Sequence, residues 1–196
     1  MLWSMETAPD APELFLADVS LLPSLNRHGC SLSTVRGVLA ERGEGRPVRF
    51  QVISNDGGSL LKHCDALPDY LMWSWLPIFS ARAVDQLSGI EPEDSWWPCD
   101  IEGSEGEYFL HVPEQGVSSL DVEGSRFKTF LPLKSPIPFG LELLSLTLGT
   151  TLPPLFRIAT PGHPQVMAEV ICTGEFKYRW EQAQLGGATF RAFVAA

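Results

Sequence analysis

The chain has 196 residues, with 24 Asp and Glu against 14 Lys and Arg, which gives a formal net charge of −10 and a pI near 4.8. This acidity excludes the basic face, with a pI above about 9, that is typical of nucleic-acid binding, and it disfavours an anionic membrane surface as a partner. Hydrophobic residues make up 44% and charged residues 19% of the chain, a balance that predicts one folded domain with its own core.

The first predicted elements lie in the N-terminal half of the chain. Glu13 to Leu25 fits either a short helix or irregular apolar packing. Val48–Ile53 alternates apolar and polar side chains, which predicts a strand. Ser80 is placed to cap a short helix over residues 81–87, and Gly89 is placed to end it.

The second half of the chain is dominated by predicted strands. Trp96–Ile101 and Tyr108–Val112 are predicted to pair as a β-hairpin around the turn at 102–106. Thr173 is placed to cap a helix over residues 174–185. Further extended segments are predicted at 117–122, 141–148, 155–158, 166–171 and 188–194. The pattern predicts a single α+β domain, mainly an antiparallel sheet with two or three short helices.

The negative charge is concentrated between Ala83 and Ser125, which we call the acidic stretch. It contains eleven acidic residues and no Lys or Arg, and the remaining thirteen acidic residues are matched by all fourteen basic ones. The acidic residues of the stretch are Asp85, Glu91, Glu93, Asp94, Asp100, Glu102, Glu105, Glu107, Glu114, Asp121 and Glu123. The whole excess of negative charge therefore comes from these 43 residues.

The four cysteines are scattered at Cys30, Cys64, Cys99 and Cys172, without a Cys-x-x-Cys pair. This usage is typical of a reducing compartment. The N-terminus lacks the basic segment of a signal peptide, and no run approaches the ~18 apolar residues that a membrane span requires. We therefore expect a cytoplasmic protein.

No cofactor or metal motif emerges from the residue spacing. Neither a Gly-x-Gly-x-x-Gly fingerprint nor a phosphate-binding loop is present. His28 with Cys30, and His63 with Cys64, lack the paired spacing of a tetrahedral site, and adjacent residues point in different directions. The acidic residues of the predicted hairpin turn lack the ligand spacing of an EF-hand loop. We expect no cofactor and no bound metal, and a solvated acidic hairpin is favoured over a Ca²⁺ site.

Catalytic patterns are also weak. Ser80 does not lie in a Gly-x-Ser-x-Gly motif, and helix capping explains it better. His111 falls within a predicted strand, where pairing with a neighbour is the simpler role. Four tryptophans have two open interpretations, as core anchors or as the rim of a partner-binding surface, because aromatic residues are enriched at interfaces. They are Trp73, Trp75, Trp96 and Trp97. We therefore expect a protein that is not an enzyme.

Several short motifs, taken in order, resemble a bacterial immunity-protein family, immunity protein eleven, whose members are found beside polymorphic toxins. They are Leu67–Tyr70, Ile78–Leu87, Trp97-Pro98, Tyr108–Val112, Leu120–Ser125, Leu155–Ile158, Val170-Ile171 and Leu185–Arg191. The likeness covers residues 65–195, about two-thirds of the chain. It implies a small, cytosolic, non-enzymatic protein that binds a cognate toxin. It supplies no catalytic motif, and it implies scaffold roles for Ser80, Asp121 and Phe156-Arg157.

The resemblance predicts an immunity-like α+β domain at residues 61–196, with residues 1–60 packed on it. The leading functional prediction is a protein that neutralises an antibacterial toxin. The toxin is expected to have a basic, nuclease-like surface, because an acidic surface attracts positively charged partners. The alternatives are an acidic metal-dependent hydrolase and a general protein-binding adaptor. The residues predicted to contact the partner are Glu91, Glu93, Asp94, Trp96, Trp97, Asp100, Glu102, Glu105 and Glu107.

Overall fold

A computed structural model gives the fold of the chain. It describes residues 1–18, 21, 31–43, 46–53, 60, 66–89, 92–114, 116–121, 123–129, 138–146, 151–160, 166, 167 and 169–193. The strands are β1 Leu2–Thr7, β2 Glu13–Leu16, β3 Val48–Ile53, β4 Tyr70–Trp73, β5 Leu76–Ser80, β6 Trp96–Glu102, β7 Tyr108–His111, β8 Arg126–Thr129, β9 Pro138–Leu143, β10 Leu155–Phe156, β11 Val170–Thr173 and β12 Ala188–Ala192. The helices are α1 Leu32–Glu41, α2 Ala81–Gln86 and α3 Gly174–Gln182, with a 3-10 turn at Glu93–Ser95.

The larger sheet has six strands in the order β2-β3-β6-β7-β5-β4. Its neighbouring strands are antiparallel except for the parallel pair β3 and β6. The two edge strands β2 and β4 approach each other, so the sheet curls around its inner face. Alternate residues such as Leu14, Phe50, Ile101 and Leu110 fill that inner face, and α1 packs its apolar residues onto the same core. The period-two alternation of these strands thus separates a buried face from an outer one.

The second sheet is antiparallel throughout, with the order β10-β11-β1-β12. Helices α2 and α3 contribute to a core that joins this sheet to the outer face of β4 and β5. Tyr70 and Phe79 enter it from the large sheet, while Phe176 and Trp180 enter it from α3. Tyr70 and Trp180 meet edge to face with their ring centroids 6.3 Å apart. Strands β8 and β9 form a separate two-stranded sheet.

The α+β fold expected from the sequence is confirmed, with one compact domain whose sheets are mostly antiparallel. The predicted strand at Val48–Ile53 and the β6–β7 hairpin are both present. Ser80 caps α2 by accepting a hydrogen bond from the backbone N–H of Ala83 at 3.1 Å. Thr173 caps α3 in the same way.

The N-terminal part of the chain differs from the sequence-based expectation. The segment expected to be helical or irregular from Glu13 begins as strand β2, because Leu14 and Leu16 point into the core while their neighbours face outward. Strand β1 lies between β11 and β12, and β3 lies between β2 and β6. Strands from residues 1–60 therefore contribute to both sheets. Across the described ranges, no helix has the length and apolarity needed to cross a bilayer.

Candidate protein-interaction surface

Most acidic side chains of the acidic stretch lie on the surface of the folded chain. Of its acidic residues, Glu91 lies outside the described part of the structure, and Asp121 is half-buried. The other nine are exposed. They are Asp85, Glu93, Asp94, Asp100, Glu102, Glu105, Glu107, Glu114 and Glu123. The segregated charge seen in the sequence is therefore a property of the molecular surface.

Strand β6 separates the predicted contact residues into two groups. Glu93 and Asp94 lie in the 3-10 turn just before its first residue, whereas Glu105 and Glu107 follow its last residue. The seven residues of β6 span about 20 Å at roughly 3.3 Å per residue. That distance exceeds the screening length of about 8 Å at physiological salt, so the two groups act as separate charge clusters.

At the N-terminal end of β6, Arg36 of α1 neutralises part of the acidic charge. Its guanidinium lies 2.8 Å from the Asp94 carboxylate. It also donates to the backbone carbonyl of Val112 at 2.9 Å and lies 6.0 Å from the centre of the Trp97 ring system. Asp94 thus helps to fasten α1 to the hairpin, and its charge is not fully available to a partner.

The two tryptophans of β6 point to opposite faces of the sheet, as adjacent strand residues must. Trp96 packs edge to face against Phe79 at 5.4 Å and lies 4.7 Å from the His111 ring. Trp97 packs against the core inside the curled sheet. Both side chains are half-buried, so the predicted Trp pair does not form one continuous apolar patch.

At the C-terminal end of β6 the acidic side chains remain available. Asp100 and Glu102 project from the outer face of the strand, because Cys99 and Ile101 point into the core. Glu102 accepts a hydrogen bond of 2.6 Å from the uncharged amide of Gln51. Among the described residues, no Lys or Arg forms an ion pair with Asp100, Glu102, Glu105 or Glu107.

These acidic residues border a surface formed by strands β2 and β3, which was not predicted from the sequence. Phe15 of β2 lies opposite Gln51 of β3, and Gln51 lies opposite Glu102 of β6, so the three form one row across three strands. Phe15 is 46% exposed. We call this surface the open face, which consists of Glu13, Phe15, Arg49, Gln51, Asp100 and Glu102. The alternation of Glu13, Leu14, Phe15 and Leu16 is the sequence signal that could have revealed it.

The base on the open face is engaged by an acidic neighbour. Arg49 donates its backbone N–H to Asp18 at 2.9 Å and holds its guanidinium 3.4 Å from the same carboxylate. Arg42 reaches Asp18 at 3.0 Å. Burial acts to raise the pKa of Asp18, but the hydrogen bonds and positive charges of the two arginines outweigh it and hold that pKa below its usual value. Asp18 therefore stays ionised, and the two arginines share its single negative charge.

Of the potential nucleophiles that the structure describes, Ser80 is hydrogen-bonded, and Cys99 and Cys172 are buried. Within the described ranges, no group of three or more His, Cys, Asp or Glu residues comes together in a way that could hold a metal ion. Burial raises the pKa of the Cys172 thiol to about 12 and shifts that of Cys99 in the same direction. The Ser80 hydroxyl donates to Asp69 at 2.6 Å. His28, Cys30, His63 and Cys64 lie outside the described part of the structure.

A shallow cleft of about 340 Å³ opens where the loop before β2 meets the segment before β4. It is lined by Asp10, Ala11, Pro12, Ala66, Leu67, Pro68 and Gly187. Asp10 is its one charged lining residue, so the cleft lacks the converging groups of a catalytic pocket.

Comparison with protein-family models finds no match for this chain, and a search of curated proteins finds no relative.

Proposed function

We propose that this chain is a cytoplasmic immunity-type inhibitor that binds and neutralises a cognate antibacterial toxin with a basic surface. The observation that supports the proposal most strongly is the exposure of nine acidic side chains from a stretch without Lys or Arg. A nuclease-like toxin must bind phosphate and is therefore positively charged on its working face. An acidic inhibitor complements that face.

Charge complementarity of this kind acts mainly on the rate of association. Opposite fields raise the rate of encounter by about 10–10³-fold, and the gain falls with ionic strength. Rapid capture matters for an inhibitor, because the toxin damages the cell for as long as it remains free. The acidic surface therefore supports a role in rapid binding of the free toxin rather than in slow, reversible regulation.

Two residues that the family resemblance singles out, Arg157 and Asp121, have structural partners. Arg157 is 2% exposed, donates to the backbone carbonyls of Met167 and Trp75, and stacks 5.0 Å from the Trp75 ring centre. Asp121 accepts from the N–H of Gly124 at 3.1 Å and from Ser145 at 3.0 Å. Such residues hold a surface rigid, and a rigid surface loses little entropy on binding.

The proposal is tested by co-expressing this chain with the products of the genes that flank its own gene, one of which we expect to encode the toxin. We expect the chain to restore growth of cells that express an active toxin and to co-purify with it. Failure to protect against an active neighbouring toxin would refute the proposal. Stabilisation of the chain by a divalent metal, measured as a metal-dependent rise in Tm, would favour the alternative of an acidic hydrolase. Weak binding to several unrelated proteins would favour the alternative of a general adaptor.

The role of the charge is tested separately with neutral substitutions at five acidic positions. Replacing Glu91, Glu93, Asp94, Glu102 and Glu105 by their amides should slow association with that toxin and flatten its dependence on salt. Unchanged rates at low and high salt would show that the acidic surface only keeps the protein soluble.

A further inference from the structure

We infer that the open face, rather than the N-terminal end of β6, is the docking surface for a cationic protein partner. The inference rests on the proposed function, because it locates the surface on which the basic toxin would sit. It starts from the sheet register, which places side chains of β2, β3 and β6 in adjacent rows on the outer face.

The outer face of the large sheet is covered at one side and open at the other. Near β5 it is covered by α2 and α3, where Phe79 is fully buried. Near β2 and β3 it is exposed, and Phe15 keeps 46% of its surface in water. Among the strand residues whose side chains the structure describes, Phe15 is the one large apolar residue with this degree of exposure.

The charges around Phe15 determine what kind of partner the face fits. Glu13, Asp100 and Glu102 carry three negative charges against one positive charge on this face, that of Arg49, whose guanidinium also lies 3.4 Å from Asp18. The acidic turn with Glu105 and Glu107 adjoins the same end of β6. An exposed aromatic residue beside polar, charged residues is a common composition of protein-binding surfaces. The complementary surface presents Lys or Arg side chains around a small apolar recess.

The opposite end of β6 lacks this combination. Asp94 is paired with Arg36 at 2.8 Å, and Trp96 and Trp97 are turned to opposite sides of the sheet. Glu93 and Glu114 are exposed there and carry the same charge as the acidic residues of the open face. They therefore provide a matched control in which the net charge changes equally while the open face stays intact.

The first experiment measures binding of the full chain to an inactivated form of the neighbouring toxin at low and physiological salt. The double change of Glu13→Gln and Glu102→Gln should lower the association rate at low salt by about threefold to tenfold. Phe15→Ala should raise the dissociation rate by about tenfold or more, as expected for an aromatic residue that becomes buried on binding. The controls Glu93→Gln with Glu114→Gln, and Tyr178→Ala on α3, should each change the corresponding rate less than twofold.

The outcomes distinguish an error in the location of the docking surface from an error in the proposed toxin-binding function. If the controls weaken binding as much as the open-face variants do, the docking surface is wrong while the toxin partner stands. If the open-face variants bind like the wild type, the inference is overturned in the same way. Equal Tm values across the variants show that any loss of binding does not come from unfolding.

A second experiment needs no toxin and therefore decides the inference even if the wild type binds none. The isotopically labelled chain is titrated with a ten-residue arginine peptide, and backbone amide shifts are followed by NMR. Shifts concentrated at residues 13–15, 49–51 and 100–102 support the open face as the cation-binding surface. Shifts spread evenly over all acidic residues, or centred on residues 93–94, overturn it.

Discussion

The turn at Gly186-Gly187 joins α3 to β12 and lies against the start of β4. Tyr70 donates its N–H to the Gly186 carbonyl at 3.1 Å, and Ala8 donates to the Gly187 carbonyl at 2.9 Å. Gly187 has a φ of +88°, and a Cβ added there would meet the carbonyl oxygen of Tyr70 and lie 2.6 Å from the Cβ of Pro68. A methyl group at this position therefore pushes the Gly187 backbone away from the start of β4, where the two sheets meet.

Gly43 provides the control for the substitution Gly187→Ala. It has the same φ of +88°, but an added Cβ would have no atom within 4 Å. Gly43→Ala should therefore lower the free energy of unfolding by only about 1 kcal/mol. This is the strain of an alanine in the left-handed region, reduced by the stabilisation that comes from a stiffer unfolded chain. Gly187→Ala adds a clash with backbone atoms that cannot rotate away, and overpacking of this kind costs roughly 1–3 kcal/mol more.

The two variants are compared by urea unfolding and by thermal scans. For a chain of this size each kcal/mol lowers Tm by about 2–4 °C, so Gly187→Ala should fall roughly 4–16 °C below the wild type. Gly43→Ala should fall only about 2–4 °C. A difference in unfolding free energy below about 0.5 kcal/mol between them would refute the claim that the Gly187 contact is rigid.

Three further changes test the interior contacts. Ser80→Ala removes both the α2 cap and a donor to Asp69, and should cost about 1–2 kcal/mol in urea unfolding, whereas Ser80→Thr should cost less than half of that. Because the pKa of Asp18 is lowered in the fold, its stabilising effect is complete above about pH 5 and is lost as the pH falls through the lowered pKa. The stability of Asp18→Asn should accordingly depend less on pH between 5 and 2 than that of the wild type, and parallel curves would contradict this assignment. In Arg157→Lys, the lysine cannot donate to both buried carbonyls and also stack on Trp75, so the free energy of unfolding should fall by about 2–4 kcal/mol. A fall below about 1 kcal/mol would show that other groups can replace the contacts of Arg157.

The elements that could be predicted from the sequence are those that depend on residues close together in the chain. The alternation at Val48–Ile53 and the polar turn between β6 and β7 follow from nearest-neighbour preferences, as do the caps at Ser80 and Thr173. Strand β1 carries no such signal, since Leu2–Thr7 begins with two large apolar residues and has neighbours on both sides in the sheet. Its partners lie more than 160 residues away in sequence, where local preference gives no information.

The candidate surface was predictable only in part for the same reason. The sequence located the charge, because acidic residues near each other in sequence can be counted. It did not reveal that Glu13, Phe15 and Gln51 join Glu102, since that row is created by the register of three strands. Nor could it show that Arg36, 58 residues before Asp94, neutralises that carboxylate.

The size of the acidic surface bears on how a partner must sit. An interface of ordinary size buries about 800 Å² on each protein, which corresponds to a patch roughly 30 Å across. Such a partner could cover both ends of β6, which lie about 20 Å apart by strand geometry. Screening over about 8 Å nevertheless makes the two ends independent in their effect on binding. A large loss on neutralising Glu93 and Glu114 would therefore show that the partner contacts the N-terminal end of β6, and it would overturn the assignment of the docking surface to the open face. A loss confined to the open face would mean that the partner stops short of the Arg36–Asp94 pair.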